Sequence, residues 1–363
     1  MTKEIKYMAE ALLEAKKAYS IGEIPVGAVI VRNDTIIARA HNTTEQSGNP
    51  VRHAEINAIE AACAALGYRS LHECEMYVTL EPCPMCAGAI MQSRIGKLYF
   101  GAPDETAGAV TTKADLLDRH FGNRKTQYFF PLLEEESRKL LTGFFQEVRT
   151  KFSLSDGTNV YKLSELYFDN DTVHLSKALL GAYIIRNYNG ERLTVRIVET
   201  EAYCGIEDKG SHTYNDTRTP RTEVMYGPPG RAYIYLIYGM YYCLNIVTRP
   251  EGIPSAVLIR AVEPVEGLNT MSLLRYGEPY EKLDKKKRIG LTNGPGKLCM
   301  ALGLTKEHNG TDLTKDEIYI ARPHKFKPPD IVTTKRINID YAEEAADYPW
   351  RFYIRGNEYV SKK

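Results

Sequence analysis

Apolar positions in the first part of the chain follow two periods. Ile5, Met8, Leu12, Ala15 and Tyr19 recur at helical spacing and predict an amphipathic helix over 4–20. Two apolar runs, 27–31 and 35–40, flank the polar Arg32-Asn33-Asp34 and predict a pair of short strands. Residues 53–66 are alanine-rich, keep a helical pattern and stop at Gly67. A strand over 76–80 follows, then a helix over 83–92 with Pro82 and Pro84 at its start. A strand over 97–100 and a long amphipathic helix over 132–149 complete the series. Helices and strands alternating in this way predict an α/β unit in three layers, a mixed sheet with helices on both faces.

The texture changes near residue 155. Residues 153–159 are polar and turn-rich, which marks 152–160 as a linker between a first domain over 1–151 and a second over 161–363. The second half is rich in Tyr, Gly and Pro, with strand-like runs at 194–200, 232–237, 242–248 and 256–261. It predicts a mixed α/β domain around a central antiparallel sheet. Two domains also follow from a length of 363 residues, which exceeds what one core usually supports. No apolar run reaches the roughly 18 residues of a membrane span, and the amphipathic start does not resemble a signal peptide, so a cytoplasmic protein is expected.

Charge narrows the picture only slightly. The net charge is +1, and 18 of the 47 basic and 19 of the 46 acidic residues fall within 1–151. Neither half is strongly basic, so any nucleic-acid binding rests on local clusters. The seven cysteines are an odd number and mostly scattered, which argues for ligands and buried thiols over a disulfide framework.

The one cysteine pair carries chemistry. Cys83 and Cys86 are one helical turn apart at a helix start, where the dipole favours thiolate. Alone, such a pair fits a redox dithiol as well as a metal site. His53-Ala54-Glu55, at the start of another helix, adds a third ligand in His53 and a carboxylate in Glu55 that need not bind metal. Three ligands leave the fourth position of a zinc ion open, as catalysis requires. His, two Cys and a nearby Glu form the set with which zinc enzymes deaminate a nucleobase.

The segments Ile24-Pro25-Val26-Gly27-Ala28-Val29, His41-Asn42, His53-Ala54-Glu55 and Thr79-Leu80-Glu81-Pro82-Cys83-Pro84-Met85-Cys86 resemble the TadA-type tRNA adenosine deaminases. The resemblance covers about residues 3–150 and implies a cytidine-deaminase-like fold. It implies zinc held by His53, Cys83 and Cys86, Glu55 as proton carrier and Asn42 hydrogen-bonded to the flipped base. It also implies a tRNA partner and a homodimer. Two stretches depart from the family pattern, 104–112 and Phe121-Gly122-Asn123-Arg124. They leave a free-base or nucleoside deaminase, for guanine for example, as the alternative.

A second constellation lies beyond the linker. The strand-like run 194–203 ends in Glu199 and Glu201, which at i and i+2 share one face. An exposed acidic strand end is the plain alternative. Arg231 to Asn245 is dense in tyrosine, with Tyr238-Gly239-Met240 between two strand-like runs. Such aromatics line a sheet core or stack on bases and wedge into a duplex. Lys285-Lys286-Lys287-Arg288 and a glycine-rich turn ending at Lys297 offer charge to a phosphate, or form a solvated charge run.

The runs Val195 to Tyr203, Ile237-Tyr238-Gly239-Met240-Tyr241, Leu258-Ile259-Arg260-Ala261, Asn293-Gly294-Pro295-Gly296-Lys297 and Arg351 to Gly356 resemble the alkyladenine (3-methyladenine) DNA glycosylases. The resemblance covers about 161–361. It implies a damaged-duplex partner, no cofactor, and Glu201 as the base that activates water against C1′ of a flipped nucleotide. Tyr203, His212 and Tyr235 are implied to form the base pocket, and Tyr238 to be the wedge left in the duplex. Asn245 is implied to reject guanine, Arg260 to orient Glu201, and Lys297 to serve the DNA. Stacking between Tyr203 and Tyr235 is expected to favour a methylated purine cation. No catalytic lysine is implied, so strand cleavage is not expected. A lesion-binding module with little cleavage is the alternative.

Overall fold

The structure is a computed structural model that describes residues 2–119 and 125–362. The departure at 121–124 lies outside the described residues. The chain divides into two units between Gln146 and Glu147.

The first unit runs α1 (Lys3–Ile21), β1 (Gly27–Arg32), β2 (Thr35–His41), the one-turn α2 (Thr44–Ser47), α3 (Ala54–Leu66), β3 (Cys74–Leu80), α4 (Pro84–Ser93), β4 (Lys97–Ala102) and β5 (Gln127–Phe129). Helix α5 (Glu134–Arg149) crosses the division. The sheet order is β2-β1-β3-β4-β5. Its β1 pairs are antiparallel and its β3–β4 and β4–β5 pairs parallel, so the sheet is mixed as expected. On one face, Ala54, Ala58 and Ala62 of α3 and Ala87 and Ile90 of α4 pack against Ala28, Ile30, Met76 and Val78. On the other, Tyr7, Met8 and Ala11 of α1 meet Val29, Val31, Tyr77 and Tyr99. Because β1 is buried on both faces, it reads as a continuous apolar run with no alternation. Gly27 lets α1 approach the sheet: a Cβ there would stand 2.1 Å from the carbonyl oxygen of Ala11.

The second unit runs β6 (Lys151–Ser153), β7 (Asn159–Lys162), α6 (Glu165–Phe168), α7 (Thr172–Ala178), β8 (Tyr183–Tyr188), β9 (Glu191–Tyr203), β10 (Ala232–Ile237), β11 (Tyr241–Thr248) and β12 (Ser255–Glu266). It continues with α8 (Leu268–Tyr276), α9 (Lys285–Gly290), α10 (Pro295–Ala301), β13 (Ile318–Pro323), β14 (Ile331–Thr334) and β15 (Arg351–Ile354). The strands form one sheet in the order β10-β11-β12-β9-β8-β13-β7-β6, with β15 pairing β9 and β14 beyond it. Each of these pairings is antiparallel, as the sequence leads one to expect.

Residues 152–160, read as a linker, are instead built into this sheet. They form the β6–β7 hairpin, and Phe152, Leu154 and Val160 pack with Tyr183, Ile185 and Tyr319. Asp156 and Gly157, with its φ of +83°, belong to the turn, so a tight hairpin has the composition of a linker. Among the described residues no helix is long and apolar enough to cross a membrane, and all seven cysteines are free thiols.

Candidate active sites

Strand β3 leads through Glu81 and Pro82 to Cys83, the N-cap residue of α4, and Pro84 starts the helix without needing an N–H partner. His53 is likewise the N-cap residue of α3, whose first turn carries Glu55. Two helix starts thus bring residues thirty positions apart to one point. The His53 Nδ1 lies 3.7 Å from Cys83 Sγ and 3.5 Å from Cys86 Sγ, and the three donor atoms fall within 4.8 Å of one another. Zinc bond lengths of about 2.0 Å to nitrogen and 2.3 Å to sulfur at tetrahedral angles put donors roughly 3.5–3.8 Å apart. The donor set therefore fits zinc in spacing and in chemistry. A hydrogen bond from the Cys86 thiol holds the Cys83 thiol down at about 4, and Cys86 itself is pushed up. Burial raises Glu55 to about 7.

Asn42 is buried just behind this cluster. Its Oδ1 accepts from the Ala54 N–H at 2.8 Å, so it fixes the start of the helix that carries His53 and Glu55. The loop after β4, where the sequence departs from the tRNA deaminase pattern, is organised by Glu81. That buried carboxylate accepts from the N–H groups of Asp104, Val110, Thr111 and Thr112, at 3.0, 3.0, 2.7 and 3.0 Å, and from the hydroxyls of Thr111 and Thr112. A Cβ at Gly108 would stand 2.3 Å from its Oε2. Glu81 sits in the sequence motif, but nothing in the motif shows that it holds a loop more than twenty residues on.

In the second unit, a cavity of about 680 Å³ is lined by seven residues singled out from the sequence: Tyr203, His212, Tyr235, Tyr238, Asn245, Arg260 and Lys297. Glu201 is fully buried and does not line it. Its carboxylate lies directly behind the wall. Oε2 accepts from the Tyr203 hydroxyl at 2.9 Å and from Arg260 Nη1 at 3.3 Å, and Oε1 accepts from the Ile337 N–H at 2.8 Å. A carboxylate has about four lone-pair sites, so one remains for a water on the Ile337 side. Burial raises the Glu201 pKa above the ordinary carboxylate value, against the pull of Arg260.

Arg260 reaches the acids because the register of β12 against β9 shifts between Ile259 and Ala261, a bulge that re-aims its side chain. Its Nε also donates to Glu199 Oε1 at 3.2 Å. Glu199 in turn accepts from Arg351 Nε at 2.7 Å and from the Ser361 N–H at 2.6 Å, so the pair at i and i+2 has divided roles. Glu199 is a fully satisfied anchor and Glu201 is the acid with capacity left.

His212 Nδ1 lies 2.9 Å from the Tyr233 hydroxyl, and Arg221 Nη2 donates to His212 Nε2 at 3.2 Å. Burial and the Arg221 charge push His212 down to about 4, so it is neutral at pH 7 with Nε2 as the acceptor. Asn245 is buried and donates from Nδ2 to the Tyr233 carbonyl at 3.0 Å. Tyr238 stands 71% exposed with a φ of +52° at the tip of the β10–β11 hairpin, whose last pair is Ile237 with Tyr241. Lys297 donates to Asn293 Oδ1 at 2.7 Å at the side of the cavity shared with Arg275. Arg221, Arg336 and the Ile337 N–H were missed from the sequence, where they sit in loops with no pattern around them, and although Arg351 opens a run that carries the resemblance, nothing in that run shows that it holds Glu199.

Fold and sites together define a two-enzyme chain, a zinc-dependent deaminase followed by a DNA glycosylase. The chain belongs to the methylpurine-DNA glycosylase family, whose model matches residues 166–358, and residues 1–102 match the cytidine and deoxycytidylate deaminase zinc-binding region. A putative 3-methyladenine DNA glycosylase of Alkaliphilus oremlandii (strain OhILAs) is 54% identical over 204 residues, which is 56% of this chain and 100% of that protein. One of Clostridium acetobutylicum is 52% identical over 200 residues, 55% of this chain and 97% of that protein. Among solved structures, one from work on A-to-I editing by tRNA:A34 deaminases at the wobble position of transfer RNA is 40% identical. It covers 38% of this chain and 99% of its own, with a TM-score of 0.37.

Proposed function

We propose that the first unit converts adenosine to inosine in tRNA, at the wobble position, and that the second excises alkylated or deaminated purines from duplex DNA. The observation that carries the first half is the His53, Cys83 and Cys86 donor set with Glu55 beside it. His53, Cys83 and Cys86 would hold zinc there, which would lower the pKa of a bound water toward neutrality. Glu55 would carry the proton from the attacking water to the departing amine, as the water oxygen bonds to C6 and the C6–N bond breaks. Asn42, with Oδ1 committed to Ala54, has its Nδ2 to offer the base. The tRNA assignment is supported by the motif set that runs from Ile24 to Cys86. We also read this unit as a homodimer, with exposed Phe129 and Phe130 at the edge strand β5 available to a second copy. Free thiols throughout the described residues fit a cytoplasmic setting.

In the second unit Tyr238 fills the duplex as the lesion nucleotide turns into the cavity between Tyr203 and Tyr235. Glu201 takes a proton from water as the water oxygen bonds to C1′ and the C1′–N bond breaks, leaving an abasic site and a free base. Asn245 screens out the guanine amino group. No cofactor takes part and the strand stays intact. A substrate panel tests both halves: tRNA, free guanine and adenine, and duplexes holding hypoxanthine or 1,N6-ethenoadenine. Inosine in tRNA and base release from the duplexes are expected. Guanine deamination faster than that of tRNA refutes the first assignment, and lesion binding without base release refutes the second.

A further inference from the structure

The two tyrosines that wall the base cavity are each backed by a guanidinium. The Arg221 Cζ lies 4.7 Å from the Tyr235 ring centroid, and the Arg336 Cζ lies 4.8 Å from that of Tyr203. Both rings line the cavity, and neither arginine is among the residues that line it.

The two arginines differ in what balances them. Arg336 is buried and forks onto Asp208, Nη1 to Oδ2 at 2.6 Å and Nη2 to Oδ1 at 2.7 Å, which cancels most of its charge. Arg221 is exposed, and among the described residues it forms no ion pair with a carboxylate. It hydrogen-bonds neutral His212 and the Tyr233 side chain, neither of which carries a balancing charge. The rest of the cavity does not offset it. Arg260 is matched by Glu199 and Glu201, while Lys297 and Arg275 at the other side bring further positive charge.

A cation on one face of a ring repels a second positive charge on the other and offsets the ring's own attraction for it. A base stacked on the inner face of Tyr235 would carry its charge about 8 Å from the Arg221 guanidinium, close enough for a partly screened Coulomb effect. The field also acts on the reaction. A neutral base leaves with the electron pair of the C1′–N bond and gathers negative charge, which Arg221 stabilises. A methylated purine cation sheds its charge on leaving and is helped equally in that step, so the discrimination lies in the bound state, where Arg221 disfavours the cation and leaves the neutral base unopposed.

We propose that Arg221 sets lesion choice, turning the cavity toward neutral purines such as hypoxanthine and away from purines with a fixed positive charge. This reverses the expectation drawn from the tyrosines alone, and it rests on the glycosylase reading above.

Single-turnover excision by the full chain tests it, with enzyme in excess of the duplex but below saturation so that binding and chemistry both count, on duplexes holding hypoxanthine or 3-methyladenine, each rate divided by spontaneous base loss. Arg221→Gln keeps a donor for His212 and removes the charge. It is expected to lower the hypoxanthine to 3-methyladenine ratio about three- to tenfold. Arg221→Lys keeps the charge and is expected to hold the ratio within about twofold of the parent. The surviving 3-methyladenine rate reports that the variant is folded. A ratio unmoved by Arg221→Gln overturns the inference alone, as does an equal fall in Arg221→Lys. A parent chain that releases neither base overturns the glycosylase reading and the inference with it.

Discussion

Glu201 shows how much a single side chain owes to residues far from it in sequence. Its identity as an acid on one strand face with Glu199 is legible from the spacing. Its working state is not, because that depends on Arg260, Tyr203 and the Ile337 N–H, the last 136 residues away. Burial raises its pKa above the ordinary 4.5, with Arg260 pulling the other way. The base must be ionised to take a proton, so excision falls as pH drops through the raised value and is complete above it. The acid limb of the single-turnover pH profile is therefore expected above 4.5, and Arg260→Gln is expected to move it further up. A limb at or below 4.5, or one that Arg260→Gln moves down, contradicts the assignment. Glu201→Gln is expected to slow excision by about a hundredfold or more, the usual range for losing a general base. Glu55→Ala is expected to abolish deamination with one zinc per chain still bound, since Glu55 is not among the donor atoms.

Elements were easiest to read where one period dominates. Helix α1 and strands β1 to β4 follow from apolar spacing within a few residues at each end. The β6–β7 hairpin did not, because a polar turn between two short strands has the composition of a linker, and its pairing with β13 lies far along the chain. Close approaches are similarly silent in sequence. Gly27 looks like any glycine before a strand, yet a Cβ there would stand 2.1 Å from Ala11 O and 2.4 Å from Ala15 N. Both contacts are backbone, so neither can swing aside. Gly27→Ala is expected to destabilise the first unit by about 3 kcal/mol, the upper range for forcing a methyl into a packed core. Thermal unfolding with deamination as the probe should show the loss, and excision of hypoxanthine should persist.

At the scale of the whole molecule, the residues assigned to each chemistry fall within a single unit. The zinc donors, Glu55 and Asn42 all lie before Gln146, and the cavity, Glu201 and its supporting arginines all lie after Glu147. The two-enzyme plan was legible because each unit carries a dense motif. The boundary was not, since helix α5 runs through it. Removing the metal is the cleanest test of this independence. Structural zinc sites couple metal loss to unfolding, whereas a site with three ligands on two helix starts of a formed core need not do so. A strong zinc chelator is expected to abolish tRNA deamination and leave the hypoxanthine excision rate within about twofold, a change worth less than roughly 0.5 kcal/mol in barrier height. Added zinc should restore deamination. If excision falls in step with deamination as zinc is withdrawn, and returns with it, the second chemistry depends on the metal and the separation proposed for the two units is wrong.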